Sequence, residues 1–323
     1  MVDSDPLFRR AGGPIMDLRQ IQHFLAAVEH GNLTRAAAAL QISQPALSKS
    51  IRQLERRLDV RLLERGRFGV SPTPFGETLA SHGKAIAAEL RHAASEIDAL
   101  RGAQRGHVVM GCGPSEATRL LPLALDDLLA QNPEIRTTVH YGLNEALMPW
   151  VRQGDVDFAL SSVPASPADP ELTHDRLYED AASIVARAEH PLAKKRRISA
   201  EDLAGCNWVL ARRQELERRA VDDYFRAQGL PPPEATIETT STVLMKSVVS
   251  QTDFLTLLPR DLIYWEEHSG NLVSLPVAGL SWTRFVGITR RRRGSLSPAS
   301  RALIDAIRRI AAGLGQEPKS KPL

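Results

Sequence analysis

Cysteine is almost absent from this sequence. The two present, Cys112 and Cys206, are too far apart to make a metal-spaced pair, so neither a disulfide scaffold nor a zinc site is indicated. Long apolar runs are missing as well. No stretch approaches 18 consecutive apolar residues, and the opening MVDSDPLFRRAGGPIMDL holds no apolar run of signal-peptide length, so neither a membrane span nor a secretory leader is expected. These absences predict a cytoplasmic protein without a membrane partner, in which the glycosylation pattern Asn32-Leu33-Thr34 is a chance match. The signatures of common enzyme chemistry are lacking too: there is no Gly-x-Ser-x-Gly, no Gly-x-x-x-x-Gly-Lys run and no His-Glu-x-x-His. Gly111-Cys112-Gly113 is not a dinucleotide fingerprint, because Glu116 takes the place of the third glycine. No catalytic residue, metal ligand or cofactor is expected.

What is present is length and a local imbalance of charge. A chain of 323 residues is long enough for two or three domains, each with its own core. Its net charge is only +3, but residues 1–105 carry 15 Lys+Arg against 11 Asp+Glu, while residues 106–323 carry 26 against 27. Residues 44–67 alone hold seven basic side chains against three acids, an electrostatic footprint for nucleic acid.

Residues 1–15, with Gly12-Gly13-Pro14 and no apolar period, predict a flexible extension, and Met16 is an alternative start. From Leu18 the apolar residues fall at 18, 21, 24, 25 and 28, one face of a helix ended by Gly31. Asn32 caps a second helix with four consecutive alanines. After the turn Gln41-Ile42, Ser43 is placed to cap a third, with Pro45 in its first turn. Ala46, Leu47, Ile51, Leu54 and Leu58 are its expected buried face, with Gln44, Ser48, Lys49 and Arg52 pointing away. A helix whose first polar residues face outward satisfies the demands of major-groove reading, where Gln bonds adenine in a bidentate fashion. Residues 61–70 read as two short strands around a glycine-containing tip bearing Arg65 and Arg67.

The run from Met16 to Glu77, with its Ser-Gln-Pro-Ala-Leu-Ser core and Leu-Leu-Glu-Arg wing entry, resembles the winged helix-turn-helix of LysR-type transcriptional regulators. The resemblance implies a DNA-binding domain over residues 16–73 and contacts to promoter or operator DNA from Thr34, Gln44, Pro45, Ser48, Lys49, Arg52, Arg65 and Arg67. It departs at Ser71-Pro72-Thr73-Pro74, where the family usually has Leu before Thr-Pro, and this predicts a shorter return strand in the wing. Thr73 and Pro74 open the next helix, residues 74–101. There Leu79, Ile86, Ala93 and Leu100 share one heptad position and Leu90 and Ile97 the other, with Gly83 leaving one position empty. That seam predicts a homodimer through a linker helix. The resemblance agrees, and further implies a homotetramer and RNA polymerase as a partner. A polar hinge is expected at residues 102–106.

Strands alternating with helices from His107 onward predict a parallel α/β sheet. The resemblance implies a two-subdomain effector-binding domain like type 2 periplasmic binding proteins over residues 107–312, with a tail at 313–323. Subdomain I covers about 107–177 and 285–312, and subdomain II about 178–284. The fold class is thus multidomain: a helical winged helix-turn-helix, a linker helix and an α/β domain whose cleft takes a small-molecule co-inducer. Small residues at expected strand ends and helix starts, Gly113, Ser115, Asn144, Ser161, Ser241 and Thr242, suit such a ligand. Arg212 is placed to meet a ligand carboxylate or to lie on the surface. Gln251-Thr252-Asp253 replaces a Gly-x-Gly common in the family, a variant similar to a branch that responds to sugars and aromatic or organic acids. Thiol sensing by Cys112 is disfavoured, and Arg290–Arg293 reads as a solvated edge. An enzyme or a solute-binding protein of transport built on the α/β domain is the alternative.

Overall fold

The structure, a computed structural model, describes residues 16–67, 69–100, 105–166, 169–277, 279–280 and 282–315, with the backbone of residues 9–10 and 13–14. These residues separate into two compact units, the first ending at Ala94 and including Arg152–Asp155, the second comprising Ser95–Val151 and the residues from Val156 onward. A minimal ladder of β1 (Arg9–Arg10) and β2 (Gly13–Pro14) lies in the expected extension. The rest of residues 1–15, residues 102–104 of the expected hinge and residues 316–323 of the expected tail lie outside the described residues.

In the N-terminal unit α1 (Leu18–His30), α2 (Leu33–Ala39) and α3 (Gln44–Leu58) each begin on a side-chain cap. Asp17 accepts from the amide of Arg19, Asn32 from those of Thr34 and Arg35, and Ser43 from that of Ala46. The caps satisfy N–H groups that a helix start leaves open, which matters most for the seven-residue α2. Phe24, Ala27, Ala36, Ala37, Leu47, Ile51 and Leu54 close the core. Ala46 is exposed rather than buried, because the first turn of α3 overhangs the core edge.

The wing pairs β3 (Leu63–Gly66) with β4 (Gly69–Pro72). The return strand is no shorter than its partner, contrary to the expectation from Ser71-Pro72. Pro72 takes the last position, and the ladder passes to the amide of Thr73, which donates to the Leu62 carbonyl at 3.0 Å.

From Pro74 a single helix, α4 (Pro74–Leu100), runs 27 residues. Ile86, Leu90, Ile97 and Leu100 of the seam are exposed. Leu79 packs on the N-terminal core instead. Gly83 is not a gap in the seam: a Cβ there would come within 2.8 Å of Ile21 Cγ2 and 3.4 Å of Leu25 Cδ1, so its missing side chain lets α4 lie close against α1.

The C-terminal unit is built on a mixed sheet of nine strands among the described residues. In the first lobe β5 (Gly106–Cys112) is flanked in parallel by β6 (Ile135–Tyr141) and β7 (Phe158–Val163). The helices α5 (Pro114–Thr118), α6 (Leu120–Gln131) and α7 (Asn144–Gln153) join them. The helical segment breaks at Arg119 between α5 and α6, which places Pro122 in the first turn of α6, where its missing N–H is harmless. The long β8 (Leu172–Arg187) then crosses to the second lobe. That lobe holds α8 (Ala200–Ala204), β9 (Asn207–Leu210), α9 (Leu216–Ala227), β10 (Ile237–Glu238), α10 (Thr242–Gln251) and β11 (Phe254–Pro259). A 3₁₀ turn (Arg260–Ile263), α11 (Tyr264–His268) and β12 (Leu272–Ser274) follow. The chain returns through β13 (Thr283–Arg291) and closes with α12 (Pro298–Leu314).

The expected parallel sheet is corrected at its centre. β13 runs antiparallel to β7 and β8, and β8 antiparallel to β11 and β12. Residues 172–181 of β8 pair with β13, and residues 182–187 with β11 and β12, so one strand belongs to both lobes. Arg290–Arg293 is not merely a solvated edge, since Arg291 Nη1 donates to the Val151 carbonyl at 3.0 Å and Arg292 Nε to that of Pro170 at 2.7 Å. Among the described residues no helix is long and apolar enough to cross a membrane.

Replacing Gly83 with Leu should overpack the α1–α4 contact and cost about 1–3 kcal/mol. Denaturant unfolding followed by circular dichroism measures it; an unchanged midpoint would show that α4 does not need this close approach.

Candidate functional site

Two surfaces carry the chemistry. On the N-terminal unit Thr34, Gln44, Pro45, Lys49 and Arg52 are exposed, as are Arg65 on β3 and Arg67 in the wing turn. Ser48 departs from this set: it is buried, and its hydroxyl accepts from Gln44 Nε2 at 3.0 Å. It therefore sets the position of the Gln44 amide. The turn before α3 runs through Gln41 at φ 55°, in the left-handed region that few side chains adopt. Glu55, which in the sequence is only one acid in a basic cluster, fixes the wing: its Oε1 accepts from the amides of Leu62 at 2.9 Å and Leu63 at 3.3 Å. Lys49, Arg52, Arg56 and Arg61 line an open groove along α3, an array of cations whose chemistry suits a phosphate backbone.

The second surface lies between the lobes of the C-terminal unit. A cavity of about 80 Å³ is lined by Ser115 at the start of α5, Leu143, Ala211, Glu215, Glu217, Thr240, Thr242, Arg284 and apolar side chains of α10 and β11. Of the expected ligand residues, Ser115 and Thr242 meet here. The others do not line it. Gly113 caps α5 and packs on the Glu116 carboxylate, where a Cβ would collide. Asn144 donates to the Ser162 carbonyl at 2.9 Å, and Ser161 is buried. Ser241 caps α10 through the amide of Leu244, and Arg212 is exposed. Tyr141 and Thr242 close one lip, their hydroxyls 3.3 Å apart. On the other side Trp265 Nε1 donates to the Thr118 carbonyl at 3.2 Å, and the Arg119 guanidinium lies 3.8 Å from the Tyr264 ring centre.

Beneath the cavity is a charge cluster that sequence reading missed. Arg284 on β13, 9% exposed, donates through Nη2 to Glu116 Oε1 at 3.1 Å and Asp180 Oδ2 at 3.0 Å, and through Nε to Asp180 at 3.1 Å. Tyr178 donates to Asp261 Oδ2 at 2.6 Å. Burial pushes the Asp180 carboxyl up to about 7 against the pull of Arg284, and burial likewise raises that of Glu116. No motif announces this cluster, because Glu116, Asp180 and Arg284 lie 64 to 168 positions apart, and neither the short helix of Glu116 nor the charged strand of Asp180 marks its acid as buried. Burial and the Glu116 charge also push the Cys112 thiol far up, which disfavours the thiolate that redox sensing needs.

Comparison with known proteins bears on both surfaces. Residues 18–77 match the family described as bacterial regulatory helix-turn-helix protein, lysR family, and residues 101–312 match the LysR substrate binding domain. The chain is 32% identical over 294 residues to HTH-type transcriptional regulator GbpR of Azospirillum brasilense, covering 91% of this chain and 86% of that protein. It is 33% identical over 299 residues to the SDS degradation transcriptional activation protein of a Pseudomonas species, covering 89% and 94%. The fold is shared with ArgP from Mycobacterium tuberculosis, at a TM-score of 0.71 and 20% identity over 92% of this chain and 98% of that one.

The Asp180 shift sets a pH dependence. Its carboxyl holds a proton in the folded chain up to about 7, against an ordinary 3.8. The folded state thus binds the extra proton over that window, and the Asp180 contribution to stability falls as pH rises through it. Relative to wild type, Asp180→Asn should show a flatter stability profile between about pH 4 and 7. Urea denaturation at a series of pH values measures this, and parallel profiles would contradict it.

Proposed function

This chain belongs to the LysR family of bacterial helix-turn-helix transcriptional regulators, and from that premise we propose how it reads DNA and what assembles it. It is a DNA-binding regulator that responds to an effector, not an enzyme, and the proteins it resembles are named as regulators. The observation that carries the reading is the exposed basic face of α3 beside a wing clamped to it by Glu55. In our reading Gln44, held by Ser48, contacts a base edge in the major groove of promoter DNA. Thr34, Pro45, Lys49 and Arg52 flank it, and Arg65 and Arg67 follow the adjacent backbone or minor groove. The DNA-binding domain is residues 16–73, the linker helix 74–101 and the effector domain 107–312. Ser115 and Thr242 are the effector contacts best supported, since they line one cavity. Gly113, Asn144, Ser161, Ser241 and Arg212 act behind or beside it.

The exposed Ile86, Leu90, Ile97 and Leu100 support a homodimer through α4, with a homotetramer as the higher assembly. Residence in the cytoplasm and contact with RNA polymerase complete the proposal.

Operator affinity should fall steeply with salt, because each phosphate neutralised releases counterions. In fluorescence-anisotropy titrations Arg65→Ala should reduce the log–log salt slope by about 1. Gln44→Ala should instead cost roughly 1–3 kcal/mol at a single base pair. A flat salt response, or equal Gln44→Ala losses on operator and competitor DNA, would remove these roles.

Charging the seam by Leu90→Asp with Ile97→Asp should shift sedimentation toward monomer and weaken operator binding while leaving circular dichroism unchanged. An unaltered sedimentation profile would place the dimer elsewhere.

A further inference from the structure

The chemical class of the effector follows from the charges around the cavity, given the effector-binding reading above. Arg284 is the one cation among the residues that line it. Its Nε and Nη2 donors are already engaged by Glu116 and Asp180, whose side chains are 1% and 4% exposed. Glu215 and Glu217 belong to the lining itself, and the charge of Glu217 acts on both Arg284 and Glu116. Arg212 lies outside the lining, exposed, and its charge already acts on Glu215. Four acidic side chains thus surround one guanidinium, and two of them, Glu215 and Glu217, belong to the lining.

A carboxylate or phosphate entering here would meet Glu215 and Glu217 as like charges in a poorly screened space. Taking Arg284 for itself would strand a buried Glu116 or Asp180 without its cation, a heavily penalised state. What the lining offers a ligand is hydrogen-bond acceptors. Glu215, Glu217 and the hydroxyls of Ser115, Thr240 and Thr242 face an apolar floor of Leu143, Met245, Leu257, Leu258 and Leu262. The volume, about 80 Å³, holds roughly five to eight water-sized groups, which limits the ligand to one small ring or a short chain.

We propose that the effector is a small uncharged polyhydroxylated molecule, a polyol or aldose of three or four carbons, whose hydroxyls donate to Glu215, Glu217 and the threonines while its C–H face rests on the leucines. Organic acids are excluded by the same carboxylates.

The test compares matched compounds on the full-length protein by isothermal titration. Glycerol, erythritol and the tetroses are set beside glyceric, erythronic and threonic acids, with benzoate and 4-hydroxybenzoate as aromatic acids. At least one neutral compound should bind, and its acid partner should bind at least tenfold more weakly. The double variant Glu215→Gln with Glu217→Gln should bring that gap below threefold. An acid that binds as tightly as its neutral partner, a gap the double variant leaves unmoved, or a panel without a neutral binder overturns the proposal. Operator binding separates the two readings. If an acid binds and alters operator affinity, the effector-responsive regulator stands and the polyol fails. If neither the panel nor filling the cavity by Thr242→Trp alters operator affinity, the effector role of this cleft fails too.

Discussion

One buried guanidinium holds the C-terminal unit together at its seam. Arg284 projects from the strand that returns to the first lobe and binds Glu116 of that lobe and Asp180 of the crossing strand β8. Burial keeps a proton at Asp180 against the pull of Arg284, and the neighbouring acids Asp261 and Glu116 add to that effect. Such a cluster adds little net stability over apolar packing. It does demand a geometry, because no member can leave without stranding another. The lobes are therefore joined by two antiparallel strands and an electrostatic node, and the cavity sits on that node.

The N-terminal unit rests on different physics. Its core is small and built from alanine and leucine, and its helices are fixed by caps rather than by buried charge. Polar contacts there act on placement: Ser48 holds Gln44, and Glu55 holds the wing. Both pairs link α3 to what it presents, so the reading surface is rigid where it must match a groove and free at its cationic tips.

Much of this was legible in the sequence. Caps at Asn32, Ser43 and Thr73, the helical period from Leu18 and the alternation of strands and helices each express a local rule that the chain obeys. What escaped was whatever depends on distant partners. The period of α4 marked a seam but could not tell that Gly83 serves α1, because Ile21 lies outside the window. Ser48 looked exposed by helical phase and is covered by its neighbour Gln44. Arg212 was plausible as a ligand partner from its place after a strand, whereas the cation at the cavity is Arg284, which no local pattern distinguishes. The sheet was expected to be parallel because alternation describes connections and not the return of β13.

The indole of Trp265 bridges the lobes while remaining 59% exposed, its N–H on the Thr118 carbonyl. Trp208, by contrast, is sealed in the second lobe. An excited indole reports the polarity around it, so the first of these chromophores senses the spacing of the lobes and the second does not. Of the four tryptophans in the chain, Trp265 is thus the one whose contribution to the ultraviolet emission, isolated as the part that Trp265→Phe removes, reports on the boundary between the lobes without an attached dye.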